Sequence, residues 1–302
     1  MSLPTEPADL PAPPFLASVP DEDVRSFLAD AVDDLARRRD WVGLLVRRDL
    51  LASPWEEDSA LALQAVQDAL ELQDPLGYWD LPLAVVRTDA RLTATGQHLR
   101  VLHELGLTRD EPYVRRAIQW VLQQPAAVNA LLRQRRGKKP RLVSWGVGNA
   151  ALWALASLNV DDPFVDVALA TAEALYRRWV GKPDMHFAYM GPLAAAGRLA
   201  SPAMEEAAGW MRENQASDGF WPGNPARPAL ETLLLLPHDT ASPLFTRMLA
   251  AVSRDLARTN AWPDRLQTHG MAYGPLDTRE YLRYLFLLCI ARLAPPAPDT
   301  RC

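Results

Sequence analysis

The sequence predicts an all-α domain in which five or six pairs of helices close into a ring. Three observations predict it. From about residue 22 onward apolar residues recur at helical spacing, and no run alternates β-branched residues in the manner of a half-buried strand. Segments apolar on every side alternate with segments that carry a single apolar stripe, and a helix without a polar face has to be enclosed by protein. The last helical segment, residues 281–293, is among the most apolar, whereas the end unit of an open helical array needs a polar outer face.

The elements follow in order. Residues 1–20, MSLPTEPADLPAPPFLASVP, are proline-rich and lack a basic start, so they read as a flexible leader rather than a signal peptide. A single domain over 21–302 is expected behind them. A mixed helix at 90–105 precedes a striped one at 112–124, the apolar 145–158 precedes 164–179, and the apolar 185–199 precedes 202–215. Pairs recurring every 40–50 residues mark a helical array. RRAIQWVLQQ (115–124) and EEAAGWMREN (205–214) match in outline, with Trp120 and Trp210 in the same place. Loops such as DDP (161–163), GKP (181–183) and WPGNPARP (221–228) stop one helix and start the next. The one strong basic run, RQRRGKKPR (133–141), reads as a solvated loop rather than a phosphate-binding arm.

Composition narrows the function. With 37 acidic against 32 basic side chains the net charge is −5, which makes no electrostatic case for nucleic acid. No uncharged apolar run approaches the roughly 20 residues that cross a bilayer. Cys289 and Cys302 form neither a disulfide framework nor a pair at metal-ligand spacing, and a cytoplasmic location fits best.

One short pattern occurs twice. Gln73, Gly77 and Trp79 stand at the spacing of Gln215, Gly219 and Trp221. Gly stops a helix, Gln ties backbone groups at its end to a neighbour, and Trp covers the junction, so the pattern is expected to staple repeats. On these residues the chain resembles the α/α-toroid proteins, among them the squalene and hopene cyclases and the β subunits of protein prenyltransferases, whose repeat is Gln-x-x-x-Gly-x-Trp. The pairing extends the resemblance over roughly 56–293. It implies that the six residues serve stability, and that an apolar or isoprenoid-like small molecule occupies a central cavity.

The departures bear on chemistry. Hopene-type cyclases protonate their substrate with Asp-x-Asp-Asp, but Asn159, Val160, Asp161 and Asp162 lack the leading Asp, and Asp162 is expected to cap the helix that begins at Phe164. Protein prenyltransferases hold zinc through Asp, Cys and His, and no Asp-x-Cys occurs. SWGVGN (144–149) and THGMAYG (268–274) are similar to segments of the zinc-dependent lanthipeptide cyclases, but both lack the cysteine. No metal and no cofactor is expected. His98 and His103 are five apart, too far round a helix to face one ion, and read as surface or packing residues.

In a ring of helix pairs the inner helices all begin at the same end, so residues at those starts converge on the mouth. Asp89 and Arg91 begin the first; Ser144, Trp145 and Asn149 the second; His186 and Tyr189 the third; Arg227 a later one; His269, Tyr273, Arg279 and Glu280 flank the last. Two readings follow. In one, the aromatics hold an apolar substrate and Asp89 or His186 acts as acid or base. In the other, a non-catalytic toroid binds a small molecule, a peptide or a protein partner. Each residue also has a plain role open to it: Trp145 and Tyr189 as core, His186 as a cap, Arg279 with Glu280 as a surface pair.

Overall fold

The structure, a computed structural model, describes residues 13–80, 88–125, 147–179, 186–222, 226–267, 275–276 and 278–294. Among them lie twelve α-helices and no strand, in keeping with the all-α reading. Helix α1 (Glu22–Ala36) starts where Asp21 accepts the N–H of Val24 at 3.0 Å, and it buries Val24, Leu28, Val32 and Leu35 as one stripe. Ahead of it Pro14–Ser18 form a 3-10 turn. Leu16 of that turn and Val19 after it are buried, so the core reaches into a stretch whose prolines suggested a leader.

Helix α2 (Trp41–Val46) is capped by Asp40 and runs into a π turn, Arg47–Leu51. Arg47 has no exposed surface. Its guanidinium grips Asp58, the first residue of α3 (Asp58–Glu71), donates to the carbonyls of Ala36 and Arg38, and lies 4.0 Å from the Trp55 ring. A charge so deeply buried persists only when fully partnered, and these partners lock α1, α2 and α3 together.

Four pairs follow: α4 (Thr88–Glu104) and α5 (Pro112–Leu122), α6 (Val147–Ser157) and α7 (Pro163–Trp179), α8 (His186–Ala195) and α9 (Pro202–Asn214), α10 (Ala226–Leu235) and α11 (His238–Thr259). Helix α12 (Arg279–Leu293) stands last. The first members pack side by side in the order α4, α6, α8, α10, α12. Gly96 of α4 faces Ala150 of α6 and, one turn on, Arg100 lies over Trp153, so these two helices run in the same direction. The second members pack onto the row through one stripe each, such as Val114, Ala117, Ile118 and Val121 of α5. The segments read as apolar all round are enclosed in part: every residue from Ala150 to Ala156, from Tyr189 to Ala194 and from Tyr284 to Ile290 is buried, whereas Gly197 and Arg292 are exposed.

The first three pairs share a junction. Leu107, Val160 and Arg198 each donate their N–H to the carbonyl five residues back, on Leu102, Leu155 and Leu193, at 2.9 to 3.0 Å. Pro112, Pro163 or Pro202 then opens the next helix, at the one position where a missing N–H costs nothing. Asp162 caps α7 by accepting from Phe164 N at 2.8 Å. At the ends of the row, α12 packs on α2 and on the π turn. The Tyr284 hydroxyl of α12 donates to Asp49 at 2.6 Å, and Arg48 donates to the Glu104 carbonyl of α4 at 2.6 Å. The π turn thus touches both the first and the last helix of the row.

Two further junctions match bond for bond. Gln73 Nε2 donates to the carbonyls of Gly77 at 3.1 Å and Tyr113 at 3.2 Å; Gln215 Nε2 donates to those of Gly219 and Leu244, both at 2.8 Å. The indole N–H of Trp79 reaches Ala69 O at 2.6 Å and that of Trp221 reaches Met211 O at 2.8 Å, each ten residues back. Gly77 and Gly219 both have positive φ, 103° and 82°. A Cβ there would also stand 2.6 Å from Arg116 O or 2.5 Å from Met248 Cα, so conformation and space alike demand glycine. Among the described residues no helix is long and apolar enough to cross a membrane.

Candidate functional site

The interior of the row carries charge. Arg100 of α4 and Glu231 of α10 form an ion pair, Nη2 to Oε1 at 2.9 Å and Nη1 to Oε2 at 3.3 Å, with side chains only 11% and 4% exposed. In the packing order α6 and α8 stand between α4 and α10, so the pair joins two helices that are not neighbours in the row. Trp153 of α6 offers its face to the Arg100 guanidinium at 4.3 Å. Its ring packs against Gly191 of α8, where a Cβ would come within 2.2 Å of the ring. The indole therefore contacts both the guanidinium and a bare stretch of backbone.

Arg227, one turn before Glu231 on α10, holds its Nη1 4.0 Å from Glu231 Oε1. Two guanidinium groups face one carboxylate, which leaves an excess of one positive charge among these three. Burial works most strongly against the charged form of Arg100, but Glu231, with smaller contributions from Tyr281 and Glu104, outweighs it and the pKa is raised. Tyr281 of α12 is buried at the same place, and burial first, then Glu231, push its pKa well above the ordinary phenol value. Thr232 is fully buried, and its Oγ1 has no hydrogen-bond partner among the described residues. Tyr189 of α8 is also buried, which pushes its pKa up to about 12.

Of the residues expected at the mouth, Arg227 joins this cluster and Tyr189 is buried in the fourth position of α8. Asp89, Asn149 and His186 fall in the first turns of α4, α6 and α8, and their side chains lie outside the described residues, as do Ser144, Trp145, His269 and Tyr273 altogether. Arg91 pairs with Asp80 at 2.7 Å and lies 4.2 Å over Tyr78. Arg279 and Glu280 bind each other at 2.7 Å and line a different space. That space is an open cleft of about 920 Å³ between α1, the end of α11 and the start of α12, floored by Phe27 and Trp262. Arg100, Trp153, Glu231 and Tyr281 were not anticipated. Glu231 did leave a trace in the sequence, as a lone acid in the run ALETLLLL (229–236).

His98, five residues before His103, packs beneath the first staple. Its ring stacks on Trp79 with centroids 4.9 Å apart and planes 2° from parallel, and Nδ1 meets Ala94 O at 2.9 Å. Burial holds its pKa below the usual value, against the smaller pull of that bond. In the unfolded chain the imidazole takes up its proton near pH ~6.5. The unfolded state therefore binds more protons between that value and the lower folded pKa, and stability present above it is lost as pH falls through this window. The expected result is a melting temperature that drops as the pH falls below about 6.5, and drops less in His98→Phe, which keeps the stack. Equal slopes in the two proteins would assign the titration elsewhere.

Among the described residues no three His, Cys, Asp or Glu side chains gather as a metal would require. No protein-family model, curated protein or solved structure matches the chain. The functional reading rests on the residues themselves.

Proposed function

We propose that α4, α6, α8, α10, α12 and α2 form the inner wall of a closed ring of helix pairs, an α/α-toroid. We further propose that this ring binds an amphipathic, isoprenoid-like small molecule at the end where the inner helices begin. The ring is supported by the packing order from α4 to α12, by the contacts of α12 with α2, and by Arg48 and Asp49 bridging back to α4 and α12. The observation that carries the ligand is the Arg100, Glu231 and Arg227 cluster, two guanidinium groups and a carboxylate held beside Trp153 and Tyr281. These rings suit an apolar body, and two guanidinium groups close together suit a polar or anionic head. If the ligand is turned over, Asp89 and His186 at the starts of α4 and α8 are the acid and base candidates.

The test has two parts. Native mass spectrometry of protein taken directly from its host is expected to show a retained small molecule. Calorimetry with farnesyl diphosphate, farnesol and squalene is then expected to rank the headed compounds above the hydrocarbon. Arg227→Ala should weaken the best of them about 10- to 100-fold, the worth of a hydrogen bond to a charged group. A protein that emerges empty and binds none of the three would end this reading. The competing one, a ring that serves as a scaffold for a protein partner, has its own support, since the Arg100 and Glu231 pair spans the interior and fills it at that depth.

A further inference from the structure

Arg283 of α12 lines the open cleft between α1, the end of α11 and the start of α12. Its guanidinium carbon lies 5.3 Å from the centre of the Trp262 ring, and Phe27 meets that ring edge-on with centroids 5.6 Å apart. Among the described residues Arg283 forms no ion pair and no side-chain hydrogen bond, and its Nε is buried without a partner. The acid beside it is already engaged, since Glu280 binds Arg279 at 2.7 Å and stands 3.9 Å from Arg38. Burial first, then Arg279, holds the Arg283 pKa below its ordinary value, and Glu280 and Asp34 offset only part of this. A guanidinium on an aromatic face with donors to spare is the arrangement that receives a carboxylate, through two parallel N–H bonds.

The facing wall has the opposite sign. Helix α1 brings Asp23, Asp30 and Asp34 to the cleft, all exposed and none in an ion pair among the described residues. The other cations of the cleft are spoken for, Arg38 by Asp40 and Arg279 by Glu280. An inorganic anion that reached Arg283 would be opposed by three carboxylates, and a simple cation would leave Arg283 unanswered. The walls therefore select a molecule that carries both signs. Eleven residues separate Asp23 from Asp34, about 16 Å of helix at 1.5 Å per residue. That is the length of about five extended residues, and more than a single amino acid covers. The volume, about 920 Å³, is ample for such a chain.

We propose that this cleft binds a short peptide that carries a carboxylate beside an apolar side chain, with a Lys or Arg two or three residues earlier. The carboxylate pairs with Arg283, the apolar side chain rests on Phe27 and Trp262, and the cation meets Asp30 and Asp34. None of these residues belongs to the Arg100, Glu231 and Arg227 cluster, so the cleft stands or falls independently of what the interior binds.

The experiment titrates the full chain in a calorimeter with the peptide acetyl-Lys-Gly-Phe bearing a free carboxylate. The same peptide as its C-terminal amide, and the same peptide with Glu in place of Lys, are titrated beside it. Binding of the first is expected, weaker at higher salt, and weaker by about tenfold or more in each of the other two. Acetyl-Lys-Gly-Glu-Phe amide moves the carboxylate onto a side chain, and the tighter of the two acids identifies its source. Arg283→Met keeps an apolar stem against Trp262 and removes the charge. It should weaken binding by about tenfold or more and yet melt no lower than the parent, because the lost guanidinium had no partner. Asp30→Asn with Asp34→Asn, both on exposed helix surface, should weaken the lysine peptide and not the glutamate one. The proposal is overturned if neither acid binds, or if the amide without an acid binds as tightly as they do. Parental binding by Arg283→Met also overturns it. Should that variant melt lower than the parent, the aspartate variant decides, and parental binding of the lysine peptide by it overturns the proposal as well.

Discussion

Replacing Trp221 by alanine is expected to lower the stability of the fold by about 3 to 5 kcal/mol, the cost of deleting a large buried aromatic from a site that cannot collapse. Trp221 is 1% exposed. Its ring meets Phe187 of α8 edge-on at 5.2 Å, and its indole N–H satisfies the Met211 carbonyl in α9. The walls of the resulting cavity are pinned independently: Gln215 binds Gly219 and Leu244, and Gly219 rests on Met248 of α11. They cannot move in to fill it. Trp221→Phe should cost less, since it keeps most of the apolar contact and loses the hydrogen bond and part of the volume. Urea unfolding of the three proteins measures this. An alanine variant with the parent's midpoint would mean that α8, α9 and α11 are held together by other contacts.

The sequence and the structure agree where one residue type answers to one demand. Residues 145–158 and 281–293 read as enclosed, and their central parts, Ala150–Ala156 and Tyr284–Ile290, are buried throughout, while the charged ends of α12 reach water at Arg279 and Arg292. The staples were legible because glycine at positive φ and a donor that reaches two carbonyls are demands few residues meet. The expected helix 185–199 instead ends at Ala195, since Gly197 takes a left-handed conformation inside what reads as an alanine-rich helical run. The leader expectation missed Leu16 and Val19 because proline frequency says nothing about a single 3-10 turn that docks its apolar residues. The interior cluster was legible only at Arg227, which stands at a helix start. Arg100 and Glu231 are 131 residues apart, and each alone looks like a surface charge on a helix. Only the packing of the row brings them within 2.9 Å of each other.

That partnership leads to the second large effect. Glu231→Ala is expected to destabilise the protein by about 3 to 5 kcal/mol, because it leaves a buried guanidinium without its counter-charge. Arg227, 4.0 Å from the lost carboxylate, adds repulsion rather than relief. Arg100→Ala should cost less, since Arg227 remains to compensate Glu231. Replacing both by apolar residues of similar size, Arg100→Met with Glu231→Leu, should recover much of the loss, because neither charge then remains buried and alone. A double-mutant cycle by equilibrium unfolding reads the coupling directly, and additive losses would show that the pair contributes nothing as a pair. Binding should move the other way from stability. Glu231→Ala removes the carboxylate nearest to both guanidinium groups, so a ligand with an anionic head should bind the variant more tightly than the parent even as the protein melts earlier. A purely structural ion pair would lower both together, and calorimetry below the melting temperature of the variant separates the two cases.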